Sequence, residues 1–323
     1  MVSMKQALTD VPGIKIGHYT NRQGVTGCTV VICEQGAVAG VDVSGSSPGT
    51  RETDLLRPGN LVERVQGILL SGGSAFGLDA AGGVMRYLDE RELGHETSGG
   101  RVPIVPAAII FDLNIGDRTA RPGATEGYQA CLAATDAGVT EGCVGAGTGA
   151  TVGKVLGIQH AVKSGLGTSS QVISRDVVVA ALMVVNAVGD VVEPGTGEIL
   201  AGPRRPDGGG FYRTSELWKS GSNKGVPPFN TVIGVVATDA RVSKAMLGRL
   251  ARVAQAGIAR TIDPCHTMHD GDVLFALSCG EKDADINALA ITAAEVVAVA
   301  IVRAIRAADA LAGVPAAKDV VKC

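Results

Sequence analysis

The chain has 323 residues, 46% of them apolar, and a formal net charge of −3. That length suits one large domain or two ordinary ones, and the composition is that of a folded protein, with no basic block to meet the phosphates of a nucleic acid. Aromatics are only 3% while glycine reaches 45 residues, so the core has to be Val, Ala, Leu and Ile packed closely around tight turns.

The first ten residues, Met1 to Asp10, show no apolar signal core. The longest apolar run, Ala288 to Ile301, is Ala-rich and carries Glu295, so no membrane span is expected. Cysteines at 28, 33, 131, 143, 265, 279 and 323 are odd in number, scattered and without a Cys-x-x-Cys pair. They read as reduced thiols, several of them buried, and the expected location is cytoplasmic.

Residues Val11 to Gly40 predict a β-meander: Ile14 to Tyr19 alternates, and Gly27–Cys33 and Ala37–Val43 read as two further strands separated by a turn. The polar loop Ser44 to Asp54 belongs on the surface or in a site wall. Gly67 to Leu70 predicts a short strand that ends in the turn Gly72-Gly73-Ser74 and enters a helix running toward Leu88. Such a turn can offer free N–H groups to an anion or a developing oxyanion, which makes Gly72, Gly73 and Ser74 a candidate pocket or oxyanion loop. The alternative is that the glycines only let helix and strand pack closely.

A strand from Ile104 to Phe111 and a helix from about Ala124 to Ala137 come next. Gly145 to Lys154 invites a nucleotide reading and fails it. A P-loop needs Gly where Thr148 stands and Ser or Thr where Val155 stands, and the dinucleotide fingerprint lacks its strand and helix. The segment reads instead as a loop delivering Lys154 into a pocket, with a solvated surface lysine as the alternative. Val177 to Val191 predicts a buried strand interrupted by Asn186, an amide that either ties down a turn or points its NH2 at a reacting oxygen. From Glu193 to Pro228 the composition turns to Gly, Pro, Arg, Ser and Lys, the best linker candidate in the chain.

That linker ends at Pro227-Pro228-Phe229-Asn230-Thr231-Val232-Ile233, where a proline-marked loop runs into a β-branched strand with one hydroxyl at the junction. The layout suits a threonine that becomes a new N-terminus. Its Oγ attacks the Asn230 carbonyl, the acyl group shifts from nitrogen to oxygen, and water removes it; the freed amine then serves as base for the same hydroxyl. Asn-Thr before a strand is also an ordinary strand start. Helical spacing follows from Ser243 to Ile262, then a strand Val273 to Ser278 and a helix Ala284 to Leu311, with no internal repeat.

Between them lies Cys265-His266-Thr267-Met268-His269-Asp270-Gly271-Asp272. Its His and Asp residues do not match His-Glu-x-x-His on a helix, no third ligand cluster stands elsewhere, and no metal is expected. By the period-two rule Asp270 and Asp272 face the same pocket, where they could hold an ammonium and a hydroxyl in register; a plain Asp-Gly turn is the alternative.

The ordered pieces Leu8-Thr9-Asp10-Val11-Pro12-Gly13-Ile14, Gly17-His18, Thr26 to Val30, Pro48 to Asp54, Ser71 to Leu78, Val185 to Asp190, Asn230-Thr231 and Asp270-Gly271-Asp272 together resemble the P1 family of self-processing N-terminal-nucleophile hydrolases. That family includes the DmpA-type aminopeptidases, β-peptidyl aminopeptidases, NylC-type nylon-oligomer hydrolases and a pantetheine-cleaving relative. The resemblance covers nearly the whole chain. It implies an α+β, four-layer αββα sandwich, a single self-processed domain with an α part (1–230) and a β part (231–323), and cleavage between Asn230 and Thr231. By the resemblance Thr231 is nucleophile and base, Lys154 lowers the amine pKa of Thr231, Asn186 steadies the nucleophile or the oxyanion, and Asp270 and Asp272 orient the Thr231 amine and hydroxyl. One departure stands out: some relatives place a tyrosine where Phe111 stands here, so any oxyanion contact from that hydroxyl is absent.

The expected activity is therefore that of an N-terminal-threonine amidohydrolase or peptidase acting on a small peptide or amide, without a cofactor. A homotetramer is implied by the family alone. An acyltransferase on a related fold and an unprocessed, non-catalytic ligand-binding member stand as alternatives.

Overall fold

The structure, a computed structural model, describes residues 4–223 and 229–320. Pro227, Pro228 and Cys323 lie outside the described residues. One nine-stranded mixed sheet organises the molecule. Its strands are β1 (Lys15–Asn21), β2 (Thr26–Val43), β3 (Thr50–Arg51), β4 (Arg64–Ser71), β5 (Ala107–Ile109), β6 (Leu166–Ile173), β7 (Val177–Asn186), β8 (Thr231–Ala240) and β9 (Val273–Lys282). The helices that flank it are α1 (Ala80–Asp89), α2 (Ala124–Leu132), α3 (Thr214–Lys219), α4 (Lys244–Thr261) and α5 (Ile286–Arg306). The order across the sheet is β6-β7-β8-β9-β2-β4-β5-β3, with β1 beside β2.

The expected turn between two early strands does not form. β2 is one continuous strand of 18 residues whose register breaks between Ile32 and Ala37, where Gly36 takes a φ of 71°. It pairs with β4 on both sides of the break, Cys28 opposite Ser71 and Ala37 opposite Val65, and beyond it Val38 to Val43 also lie against β9, Val43 opposite Val273. A bulge of this kind bends a strand and raises its twist, and here it carries β2 from one half of the sheet to the other. The two halves fold toward each other and enclose a core between them. Val178, Ala180, Leu182 and Val184 of β7 meet Val31, Ile68, Leu70 and Ile110 of the opposite half there.

The outer faces are covered by helices. Val179, Ala181, Met183 and Val185 pack against Leu247, Leu250 and Ile258 of α4 and Val297 and Ile301 of α5. Cys28, Val30 and Leu69 pack against Val84 and Leu88 of α1 and Ala130 of α2. Three cores separated by two sheet halves make the expected αββα layering. All ten residues of β7 and of β8 are buried, which is why Val177 to Val185 and Val232 to Ala237 read as runs without polar alternation.

α4 keeps its apolar residues at helical spacing. α5 starts where the Asp285 carboxylate accepts from the N–H groups of Asn287 and Ala288, both at 2.9 Å. α5 is long and apolar enough to cross a membrane by length, yet 67% of its most apolar window is buried here, against α4 and the sheet. The described part of the Glu193–Pro228 linker, residues 193–223, is more ordered than its composition suggests. Within it Ile199–Ala201 pairs with Val191 and Val192, and α3 forms.

Candidate active site

Thr231 is the first residue of β8, directly opposite Asn186 at the end of β7. By strand alternation both belong to the face turned toward the central core, with Ile233 and Val184 next along their strands. The site thus sits where the two sheet halves open at one end. Thr231 is 3% exposed.

The peptide bond before it is held on both sides by the approach to β9. The Asn230 N–H donates to the His269 carbonyl at 2.8 Å, and the Gly271 N–H donates to the Asn230 carbonyl at 2.7 Å. This bridge extends the parallel β8–β9 pairing, so the same register that starts the strand fixes the Asn230 carbonyl.

Asp272 has both oxygens engaged. Oδ1 accepts from the Val232 N–H at 2.7 Å, and Oδ2 accepts from His266 Nδ1 at 2.7 Å and His266 N–H at 3.2 Å. Burial disfavours the His266 cation, but the Asp272 hydrogen bond, helped by Cys265 and by the Asp272 charge, outweighs it and carries the imidazole pKa to about 10. His266 is therefore protonated near neutrality. Asp272 grips the residue after the threonine and not the threonine itself, which narrows the role expected of it. Asp270 accepts from Thr267 N–H at 2.8 Å and Thr267 Oγ1 at 2.6 Å, both through Oδ2. Burial and the neighbouring Asp272 raise its pKa, while Thr267 and Lys154 oppose the rise. His269 packs at a tilt against Trp218, with ring centroids 5.7 Å apart and planes 40° from parallel. Among the described residues no group of His, Cys, Asp and Glu could hold a metal ion.

Lys154 is delivered inward, as the glycine loop suggested, and is 1% exposed. Its Nζ donates to the Asn186 backbone carbonyl at 2.8 Å and to Asn186 Oδ1 at 2.9 Å. Burial lowers its pKa to about 7, with Asp270 and Asp112 opposing and a second buried lysine, Lys163, reinforcing the fall. Asn186 Oδ1 also accepts from the Thr151 N–H at 3.1 Å, and its Nδ2 donates to the Phe111 carbonyl at 3.1 Å. Asn186 thus ties Lys154 to the strand end opposite Thr231 and joins the two sheet halves. Its Nδ2 carries two hydrogens, so one stays available for an oxyanion. Among the described residues no hydrogen bond engages the Thr231 hydroxyl; catalytic contacts commonly tighten only when the reacting groups are in place.

Lys163 was not legible as part of this site. It is fully buried, donates to the Ala150 carbonyl at 2.6 Å and the Ser164 carbonyl at 2.9 Å, and its pKa falls to about 8 through burial. The only signal in the sequence is a lysine inside Ala161-Val162-Lys163-Ser164-Gly165-Leu166. Asp112 was missed as well.

The Gly72-Gly73-Ser74 turn is not an oxyanion loop. The Gly72 N–H donates to the Gly27 carbonyl at 2.9 Å, Gly73 to Asp112 Oδ1 at 2.7 Å and Ser74 to the Ile110 carbonyl at 3.0 Å. All three amides point into the protein. Asp112, whose other oxygen accepts from Thr26 Oγ1 at 2.7 Å, fills the place an outside anion would take. A Cβ on Gly72 would stand 2.2 Å from Asp112 Oδ2, so glycine serves close approach there. The helix, too, begins later than expected, after a 3-10 turn from Ser74 to Asp79.

Beside the Asp270 side of the site lies an open cavity of about 530 Å³ walled by Trp218, Pro264, Met268, Thr267 and His269. Thr267 and His269 are the residues that hold Asp270 and the Asn230 N–H, so the cavity adjoins the Asn230–Thr231 peptide bond.

Residues 6–318 match peptidase family S58. An uncharacterized aminopeptidase of Mycobacterium leprae is 41% identical over 98% of this chain and 94% of its own length. The 6-aminohexanoate-oligomer endohydrolase of Paenarthrobacter ureafaciens is 31% identical, covering 85% of this chain and 75% of that protein. Among solved structures, the L-aminopeptidase D-Ala-esterase/amidase of Ochrobactrum anthropi, a variant of the Ntn hydrolase fold, superposes with a TM-score of 0.73 at 20% identity over 98% of this chain and 90% of that one. A Burkholderia sp. β-aminopeptidase gives 0.70 at 25% identity over 98% of this chain and 94% of that one.

Proposed function

Since the chain belongs to peptidase family S58 and is a hydrolase of peptide or amide bonds on an Ntn fold, we propose that Thr231 is its nucleophile and that the chain cleaves itself between Asn230 and Thr231. The carrying observation is the clamped peptide bond at the head of β8: the Asn230 carbonyl held at 2.7 Å, with Lys154, Asn186, Asp270 and Asp272 converging on the same strand ends.

In this reading the neutral Lys154 amine takes the Thr231 hydroxyl proton as Oγ adds to the Asn230 carbonyl carbon. The C–N bond then breaks, the Thr231 nitrogen is protonated, and water hydrolyses the ester to leave an Asn230 carboxylate and a free Thr231 amine. A lysine with a pKa of about 7 is half neutral at physiological pH, which is what a base for this step needs. In the mature protein the Thr231 amine becomes the base, with Asp270 beside it and Lys154 holding down its pKa by like-charge repulsion. Turnover acylates Thr231 with an amide substrate, releases the amine and returns the enzyme by attack of water. The lining of Trp218, Pro264 and Met268 suits the apolar part of a slim peptide or oligoamide.

Intact mass under denaturing conditions tests the reading, wild type beside Thr231→Ala. Two fragments meeting at Asn230/Thr231 in the wild type and one full-length chain in the variant are expected. One full-length mass in both would sink it.

A further inference from the structure

The Asn230 carbonyl is already bound by one backbone donor, and that donor is braced from behind. The peptide unit between Asp270 and Gly271 gives its N–H to Asn230 O at 2.7 Å, while its carbonyl accepts from the Ser47 N–H at 2.9 Å. Two residues on, the Asp272 carbonyl accepts from Ser44 N–H at 3.0 Å and Gly45 N–H at 3.2 Å. The loop that follows β2 thus grips the turn at the carbonyls on either side of Gly271, those of Asp270 and Asp272. The fit leaves no slack: a Cβ on Gly271 would stand 2.4 Å from the Ser47 carbonyl oxygen, and one on Gly45 would stand 2.1 Å from the Asp272 nitrogen.

We infer that the Gly271 backbone N–H is the oxyanion donor of the self-cleavage step and, after it, of substrate hydrolysis. The inference rests on the Thr231 reading above. As Thr231 Oγ bonds to the Asn230 carbon, the carbonyl electron pair moves onto Asn230 O, which shifts little and stays within reach of the N–H that already touches it. An oxyanion hole requires a donor within about 3 Å that does not reorganise as charge develops. The brace supplies this, because a hydrogen bond accepted at one end of a peptide unit strengthens the donor at its other end. When the Asn230 carboxylate leaves, an incoming amide that presents its carbonyl to Thr231 Oγ places its oxygen in the same spot. The Ser44–Ser47 stretch is then a positioning segment, acting through Gly271 and touching no reacting atom.

The test is the full-length chain with glycolate in place of Gly271, which turns the N–H into an ester oxygen and adds no atom at the crowded face. Self-cleavage, timed by denaturing mass spectrometry, is expected to slow about 100-fold or more, the usual cost of one lost oxyanion donor. The same ester at Ala276, inside β9, controls for the loss of a strand hydrogen bond and is expected to mature at close to the wild-type rate. Once matured, the Gly271 ester is expected to lose kcat by a similar factor with KM little changed. A Gly271 ester that matures as fast as wild type, or one slowed no more than the Ala276 ester, overturns the inference and leaves the Thr231 reading standing. A wild-type chain that never cleaves, like Thr231→Ala, removes both.

Discussion

Two turns of this molecule place glycine beside polar chemistry at the mouth of the central core, and they use their amides in opposite ways. Gly72-Gly73-Ser74 turns all three N–H groups inward, onto the Gly27 carbonyl, Asp112 and the Ile110 carbonyl. Asp270-Gly271-Asp272 gives one N–H to the Asn230 carbonyl and is held from the far side by Ser44, Gly45 and Ser47. The first is a packing device closed by its own carboxylate; the second presents a donor to the carbonyl of the Asn230–Thr231 peptide bond. A glycine-rich turn says that backbone approaches something closely. What it approaches is decided by residues distant in the chain.

Small additions at each turn break the comparison most sharply. Gly271→Ala puts a methyl against the Ser47 carbonyl at 2.4 Å, and self-cleavage of the folded protein is expected to slow by about 10²–10³-fold as the donor is pushed off line. Gly72→Ala meets Asp112 and is expected to lower stability by about 1–3 kcal/mol, seen in the urea midpoint, with the cleavage rate of folded protein little altered. Equal losses of rate in both would erase the distinction.

The next effect comes through pH. Lys154 has its pKa lowered to about 7, so below that value it is protonated and cannot accept the Thr231 proton. The precursor's cleavage rate should rise roughly tenfold per pH unit up to about 7 and then level; Lys154→Met should be slow and flat. A wild-type profile flat from pH 5 to 8 would remove Lys154 as base. Asp112→Asn comes third. It leaves one of two donors, Gly73 N–H or Thr26 Oγ1, poorly matched and should cost about 1–3 kcal/mol of stability without a comparable loss of cleavage rate. A large rate loss would return the first turn to the active site.

The smallest effect lies at Asp190, away from both turns. Burial pushes its carboxyl pKa up to about 7, against the hydrogen bonds from Thr214 that hold the start of α3. A folded pKa above the unfolded value means that the stabilisation is complete below about 3.8 and is lost as pH rises through about 7. Urea midpoints of the wild type should fall across that window relative to Asp190→Asn, and parallel curves would refute the shift.

Much of this was legible in the sequence where the signal is local. β7 and β8 show as apolar runs, Thr231 as the hydroxyl where a loop becomes a strand, Lys154 as the lysine that ends a glycine loop, and Asp270 and Asp272 as carboxylates two apart before a strand. What stayed hidden depends on contacts between distant segments. The Gly73 N–H is engaged by a carboxylate 39 residues on. The Gly271 N–H meets a carbonyl from another strand, and Ser47, which braces it, lies far earlier in the chain. Glu34-Gln35-Gly36 looked like a turn because glycine with polar neighbours marks turns and bulges alike; only pairing with both β4 and β9 shows that β2 runs through it. Lys163 hides for a related reason: its partners are backbone carbonyls, which no side-chain pattern records.

The strand order has a mechanical consequence. β8 and β9 lie side by side in the middle of the sheet, with β7 on one flank and β2 on the other, both from the segment before Asn230. A cut at Asn230/Thr231 would therefore sever the chain without opening a seam. The shorter piece would stay seated like a keystone, its edges zipped to the longer piece on both sides, and neither could be withdrawn without unravelling the sheet. Chain number and architectural unity would part company: two polypeptides, one indivisible body, with a new amino terminus fixed at its centre.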